Sequence, residues 1–79
     1  MPPAGESSHA IRSALFAHEI RGYDVGEVDA ALEALAQQVD DGRPVTPADV
    51  MGLSFSRTLR GYRRVEVDAF IRSLAPATP

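Results

Sequence analysis

RTLRGYRRVEVDAFIRSL, Arg57 to Leu74, is a second writing of HEIRGYDVGEVDAALEAL, His18 to Leu35. A shift of 39 residues superposes Phe16 on Phe55, Arg21-Gly22-Tyr23 on Arg60-Gly61-Tyr62, Glu27-Val28-Asp29-Ala30 on Glu66-Val67-Asp68-Ala69, and Leu35-Ala36 on Leu74-Ala75, ten identities in 21 positions without a gap. Ile20 with Leu59 and Leu32 with Ile71 add apolar matches. Self-similarity at a fixed period in this range marks duplicated supersecondary units. The fold therefore turns on how one unit reads and how the two copies meet.

Each unit reads as short helix, loop, longer helix. Asp24 can cap a helix with Glu27 three residues on, and Val28, Leu32, Leu35 and Val39 follow at helical spacing. Asp40-Asp41-Gly42 ends that helix, glycine tolerating the left-handed conformation of a C-terminus. Thr46-Pro47-Ala48-Asp49 opens a short helix with an N-cap, a proline at N1 and an acid at N3. Phe55 to Tyr62 reads as a loop, and Arg63 to Leu74 as the last helix, with Pro76 as its stop. The 39-residue offset places the first short helix from Ser7 or Ser8 to about Leu15.

The expectation is an all-α fold, a tandem repeat of short helix, Arg-Gly-Tyr loop and longer helix. The first unit covers residues 6–42 and the second 43–75, between flexible tails at 1–5 and 76–79, in one compact domain. The two longer helices are expected to pack roughly parallel, Val28, Leu32 and Leu35 meeting Val67, Phe70, Ile71 and Leu74. Phe16, Phe55, Tyr23 and Tyr62 should close the loop ends, with Gly22 and Gly61 serving a backbone shape that other residues resist.

At 79 residues the chain is near the size where one core is only marginally stabilising, so a partner or self-association is expected and a large catalytic cleft is not. Absence of cysteine removes disulfides, thiolate metal sites and cysteine nucleophiles, and points to an intracellular setting. No apolar run is long enough for a membrane span or a signal peptide. The net charge of −3 hides a division. Residues 1–42 set two arginines against eight carboxylates, a net −6, and residues 43–79 set six arginines against three, a net +3. Such asymmetry can orient two units, join molecules, or present one basic face to an anionic partner.

Glu27 with Asp29 and Glu66 with Asp68 resemble paired catalytic carboxylates, but both pairs recur beside a helix start, where negative charge is stabilising. They are read as structural caps, with Arg21–Asp29 and Arg60–Asp68 as candidate ion pairs. His9 and His18 lack a second ligand pair at metal spacing. No metal, cofactor, catalytic residue or small-molecule substrate is expected, and the chain is not read as an enzyme. Arg57, Leu59, Arg60, Arg63 and Arg64, with Ile20 and Arg21 of the first unit, are the candidate contact residues. They face either an anionic membrane or the acidic half of the chain. Without lysine or a recognisable reading helix, and with a net negative charge, nucleic acid is not expected.

The segment VTPADVMGLSFSRTLRGYRRVEVDAFIRSL, Val45 to Leu74, resembles the N-terminal domain of the DivIVA family, and Ser7 to Leu35 resembles it a second time. The motifs that carry the likeness are Thr46-Pro47, Phe55, Arg60-Gly61-Tyr62, Glu66-Val67-Asp68 and Phe70, in order. The resemblance implies a parallel dimer whose loops form a membrane-contacting tip, in a scaffold of bacterial division or polar envelope growth at the inner membrane face. Ile20-Arg21 and Leu59-Arg60 stand at the family's tip positions, with aliphatic residues where the family usually has phenylalanine. Family scaffolds continue into a coiled coil, whereas here only five residues follow Leu74, so assembly by that route is not expected. The reading is a noncatalytic DivIVA-like adaptor or scaffold module, cytoplasmic or peripheral at the membrane. The alternative is a soluble helical interaction module that binds a protein, itself or a DivIVA-type scaffold, without lipid. The two units would then fold as an intramolecular version of the family's dimer, or exchange between chains.

Overall fold

The computed structural model describes residues 8–75. The expected tails, the alternative start at Ser7 and the stop at Pro76 lie outside the described residues. The elements run α1 (Ser8–Arg12), β1 (His18–Ile20), α2 (Val25–Asp40), α3 (Pro47–Met51), β2 (Arg60–Tyr62) and α4 (Arg64–Leu74).

The local signals in the chain account for the helix ends. The Asp24 carboxylate accepts the Glu27 backbone N–H at 2.9 Å and starts α2. At its other end Asp41 donates back to the Gln37 carbonyl, and Gly42 turns the chain away at φ 84°. Thr46 and Asp49 form a reciprocal capping box at α3, with Pro47 in the first turn. α4 starts at Arg63, which holds a capping backbone without a side-chain cap. α2 buries Val28, Leu32, Leu35 and Ala36, and α4 buries Val67, Ile71 and Leu74. With Ile11 and Val45 these form one core.

The all-α expectation is wrong. β1 and β2 form a two-stranded antiparallel sheet, with His18 opposite Tyr62, Glu19 opposite Gly61 and Ile20 opposite Arg60. Tyr23 bridges Arg57, which is the His18–Tyr62 pairing moved by the repeat. At the centre Tyr23 donates its N–H to the Tyr62 carbonyl at 3.0 Å, and Tyr62 donates back at 2.9 Å. Taken alone, each Arg-Gly-Tyr segment reads as a loop, because its hydrogen-bonding partner lies in the other half. Laid antiparallel, each supplies the backbone partners that the other lacks.

The reading as tandem all-α units fails with it. The halves interlock through a shared sheet instead of following one another as separate helical units. The closest helix pairs are α1 with α2 and α3 with α4, not α2 with α4. Each short helix folds back on the long helix of its own half, while the long helices begin together at the sheet and bring their buried side chains into one core.

Candidate tip at the strand crossing

The carboxylates beside the helix starts hold the crossing together. Tyr62 donates its hydroxyl to Asp29 at 2.9 Å, and Tyr23 donates to Asp68 at 2.9 Å. Glu66 accepts the Ala17 N–H at 2.9 Å, and Glu27 accepts the Ser56 N–H at 2.7 Å. Every one of these bonds joins one half to the other, and each has its repeat-related counterpart. Burial first, and then the facing aspartate, raises the pKa of Tyr23 and of Tyr62. Both hydroxyls therefore stay protonated as donors. The candidate ion pairs Arg21–Asp29 and Arg60–Asp68 do not form. The crossing carries both arginines to an exposed rim and gives the aspartates to the opposite tyrosines.

The aromatic residues brace the same region. Phe16 packs edge-on to Tyr62 at 5.2 Å between ring centroids, and Phe55 packs against Tyr23 at 5.2 Å. Phe70 stands 5.7 Å from Phe16 and is partly buried at the margin of the core. Its counterpart in the first half is Ala31, so this contact is one-sided.

Beyond the glycines lies the tip. Ile20 is 75% exposed and Leu59 is 79% exposed. They are close because Ile20 pairs with Arg60 in register and Arg21 donates its N–H to the Leu59 carbonyl at 3.0 Å. Arg21, Arg57, Arg60 and Arg63 are exposed around them. Among the described residues Arg21, Arg57 and Arg60 make no ion pair. Arg63 reaches Glu66 at 3.5 Å, and half-buried Arg64 holds Glu19 at 3.0 Å. Hydrogen bonds from the Arg64 backbone and guanidinium keep the Glu19 carboxyl below its ordinary pKa.

Two shallow concavities flank the tip. One is lined by His18, Glu19, Ile20, Leu59 and Arg60, the other by Arg21, Arg57, Thr58 and Leu59. The 39-residue shift carries one into the other. Glu19 and Thr58 were not singled out from the sequence, although the offset that aligned the arginines also aligns these two.

A second pair of grooves lies between each short helix and its long helix. In the first half Arg12 closes the rim, held by Glu33 at 2.7 Å and Asp40 at 2.8 Å, which raise its pKa further. In the second half the same positions carry Met51 and Arg72, over a wall of Val50, Leu53, Phe55 and Ile71. Met51 is 83% exposed.

Among the described residues no three His, Cys, Asp or Glu side chains gather as a metal site. The His9 ring lies 3.5 Å from the Ser13 hydroxyl, and His18 stacks obliquely on Tyr62 at 5.3 Å. No described helix is long and apolar enough to cross a membrane. No protein-family model, curated protein or solved structure matches the chain.

Proposed function

We propose that the chain is a noncatalytic DivIVA-like adaptor or scaffold module of bacterial cell division or polar envelope growth, working at or near the inner face of the cytoplasmic membrane. The observation that supports this reading is the tip. Two large aliphatic side chains stand in solvent beside three arginines that no described acid neutralises. Burying an aliphatic side chain of this size is worth about 1.5–3 kcal/mol, and each arginine near an anionic surface about 1 kcal/mol. Together they suffice for reversible attachment to anionic lipid.

Co-sedimentation with anionic and neutral liposomes at low and moderate salt tests it. The native chain should pellet with anionic vesicles and less so as salt rises. A Leu59→Ser, Arg60→Ser variant that keeps its circular dichroism should stay in the supernatant. Absence of native binding at either salt would reject the membrane role.

A second reading, a module that binds a protein such as a DivIVA-type scaffold without lipid, is favoured by the groove beside Met51. There an apolar wall is rimmed by an arginine, where the first half carries a closed ion pair. Under that reading the Leu59→Ser, Arg60→Ser variant keeps its partner.

A further inference from the structure

The two concavities at the tip are related by the repeat, yet they differ in charge. On one side Glu19 occupies the wall and is tied to Arg64 at 3.0 Å. On the other side Thr58 stands where Glu19 would be, and Arg57 stands where His18 would be. Arg21, Arg57 and Thr58 therefore line one open hollow of about 310 Å³ without a carboxylate among its lining residues. That volume is at the small end of the range for ligand sites and leaves ample room for a phosphate group.

Arg21 adds an independent observation. Its φ is +59°, and it is the one non-glycine with positive φ among the described residues. Its counterpart Arg60 lies in a regular strand. For an L-residue with a Cβ the left-handed region is sterically costly. A glycine would avoid that cost here. The strained backbone instead places an arginine, free of any ion pair among the described residues, at the hollow that Arg57 also lines.

We propose that Arg21, Arg57 and Thr58 form a one-sided phosphomonoester site, one per chain, at the edge of the tip. The inference rests on the reading of the tip as membrane-facing for its place in the cell, but not for its chemistry. A phosphomonoester carries up to two negative charges and three acceptor oxygens. Two guanidiniums can each donate to it through their planar forks, with the threonine hydroxyl as a further donor. The side bearing Glu19 sets a carboxylate in the same place and repels such a group.

The test compares phosphatidate vesicles, which carry phosphomonoesters, with phosphatidylglycerol vesicles, which carry phosphodiesters, at matched surface potential. Inorganic phosphate titrated against the amide NMR spectrum of the full chain is the soluble arm. The native chain should prefer phosphatidate, and phosphate should shift the amides of Arg21, Arg57 and Thr58 at a stoichiometry of one. Arg57→Gln should weaken phosphatidate binding about tenfold or more, the worth of charge-assisted hydrogen bonds. It should weaken phosphatidylglycerol binding only about fivefold, the worth of one surface arginine. Thr58→Val leaves the charge unchanged and should lower the phosphatidate preference alone. Arg60→Gln, on the opposite side, should weaken both lipids alike.

Equal effects of Arg57→Gln and Arg60→Gln on both lipids, with Thr58→Val silent, would overturn the site and leave general membrane binding intact. Phosphate shifts at these amides without vesicle binding would support the site for a soluble phosphomonoester and remove the membrane reading. Neither vesicle binding nor phosphate shifts would remove both.

Discussion

Gly22 and Gly61 face each other where the two halves cross, and a Cβ on either would fall 2.6 Å from the backbone of the other. Nothing larger than glycine allows the Tyr23 and Tyr62 peptides to approach and exchange their hydrogen bonds. The tyrosines then turn that approach into a lock. Each ring packs on a phenylalanine, and each hydroxyl donates to the aspartate near the start of the opposite half's long helix. Tyr62→Phe or Tyr23→Phe removes one hydroxyl and leaves a carboxylate that water can still reach. Each should cost about 1–2 kcal/mol in urea unfolding, at the lower part of the range for hydrogen bonds to charged groups. A loss below about 0.3 kcal/mol for both would mean that the crossing rests on its backbone pairing alone.

Among the elements, the repeat is most informative where its copies differ. Asp24 and Arg63 hold nearly the same backbone, φ −56° and ψ 123° against φ −61° and ψ 120°, and each carbonyl accepts a hydrogen bond from the helix that follows, but only Asp24 also accepts one through its side chain. Arg63 keeps a cation beside the positive end of α4, an arrangement that opposes the helix dipole. Arg63→Asp should let the new carboxylate accept the Glu66 N–H and raise stability by about 1 kcal/mol. The same change should weaken binding to anionic vesicles more than about fivefold, because it removes a basic residue and adds an acidic one. Thermal unfolding and co-sedimentation of one variant would measure both, and a variant no more stable than the native chain would refute the capping argument. The starts of α2 and α3 were legible in the sequence because a cap and its donor lie within three residues. The sheet was not. Its strands have three residues each and no apolar alternation, and the partner of His18 is Tyr62, far along the chain. The exposed positions of Ile20, Arg21, Leu59 and Arg60 were reachable from the copied motif. The aspartate partners were missed because they depend on which way the two copies cross.

At the scale of the molecule, the interlock means that neither half contains its own fold. Half of the sheet, the acceptor for each tyrosine hydroxyl and the carboxylates on the Ala17 and Ser56 amides all come from the other half. What joins the halves covalently is the short segment between α2 and α3. Fragments 1–42 and 43–79 should therefore show little helix alone and recover it on mixing, with an endpoint at equimolar ratio in far-ultraviolet circular dichroism. Charge sets the partner. A pair of first halves would carry −12, a pair of second halves +6, and the mixed pair only −3. Long-range repulsion disfavours both like pairs, and its effect fades as salt rises. The preference for the mixed pair should accordingly shrink between low and moderate salt, while the mixed pair itself persists on its apolar core and shared strands. A fragment that unfolds cooperatively as a monomer would show that one half folds without the other, and the interlocked reading would fall. A second half that pairs with itself as tightly as with the first half, at low salt, would instead show that the charge division does not choose the partner.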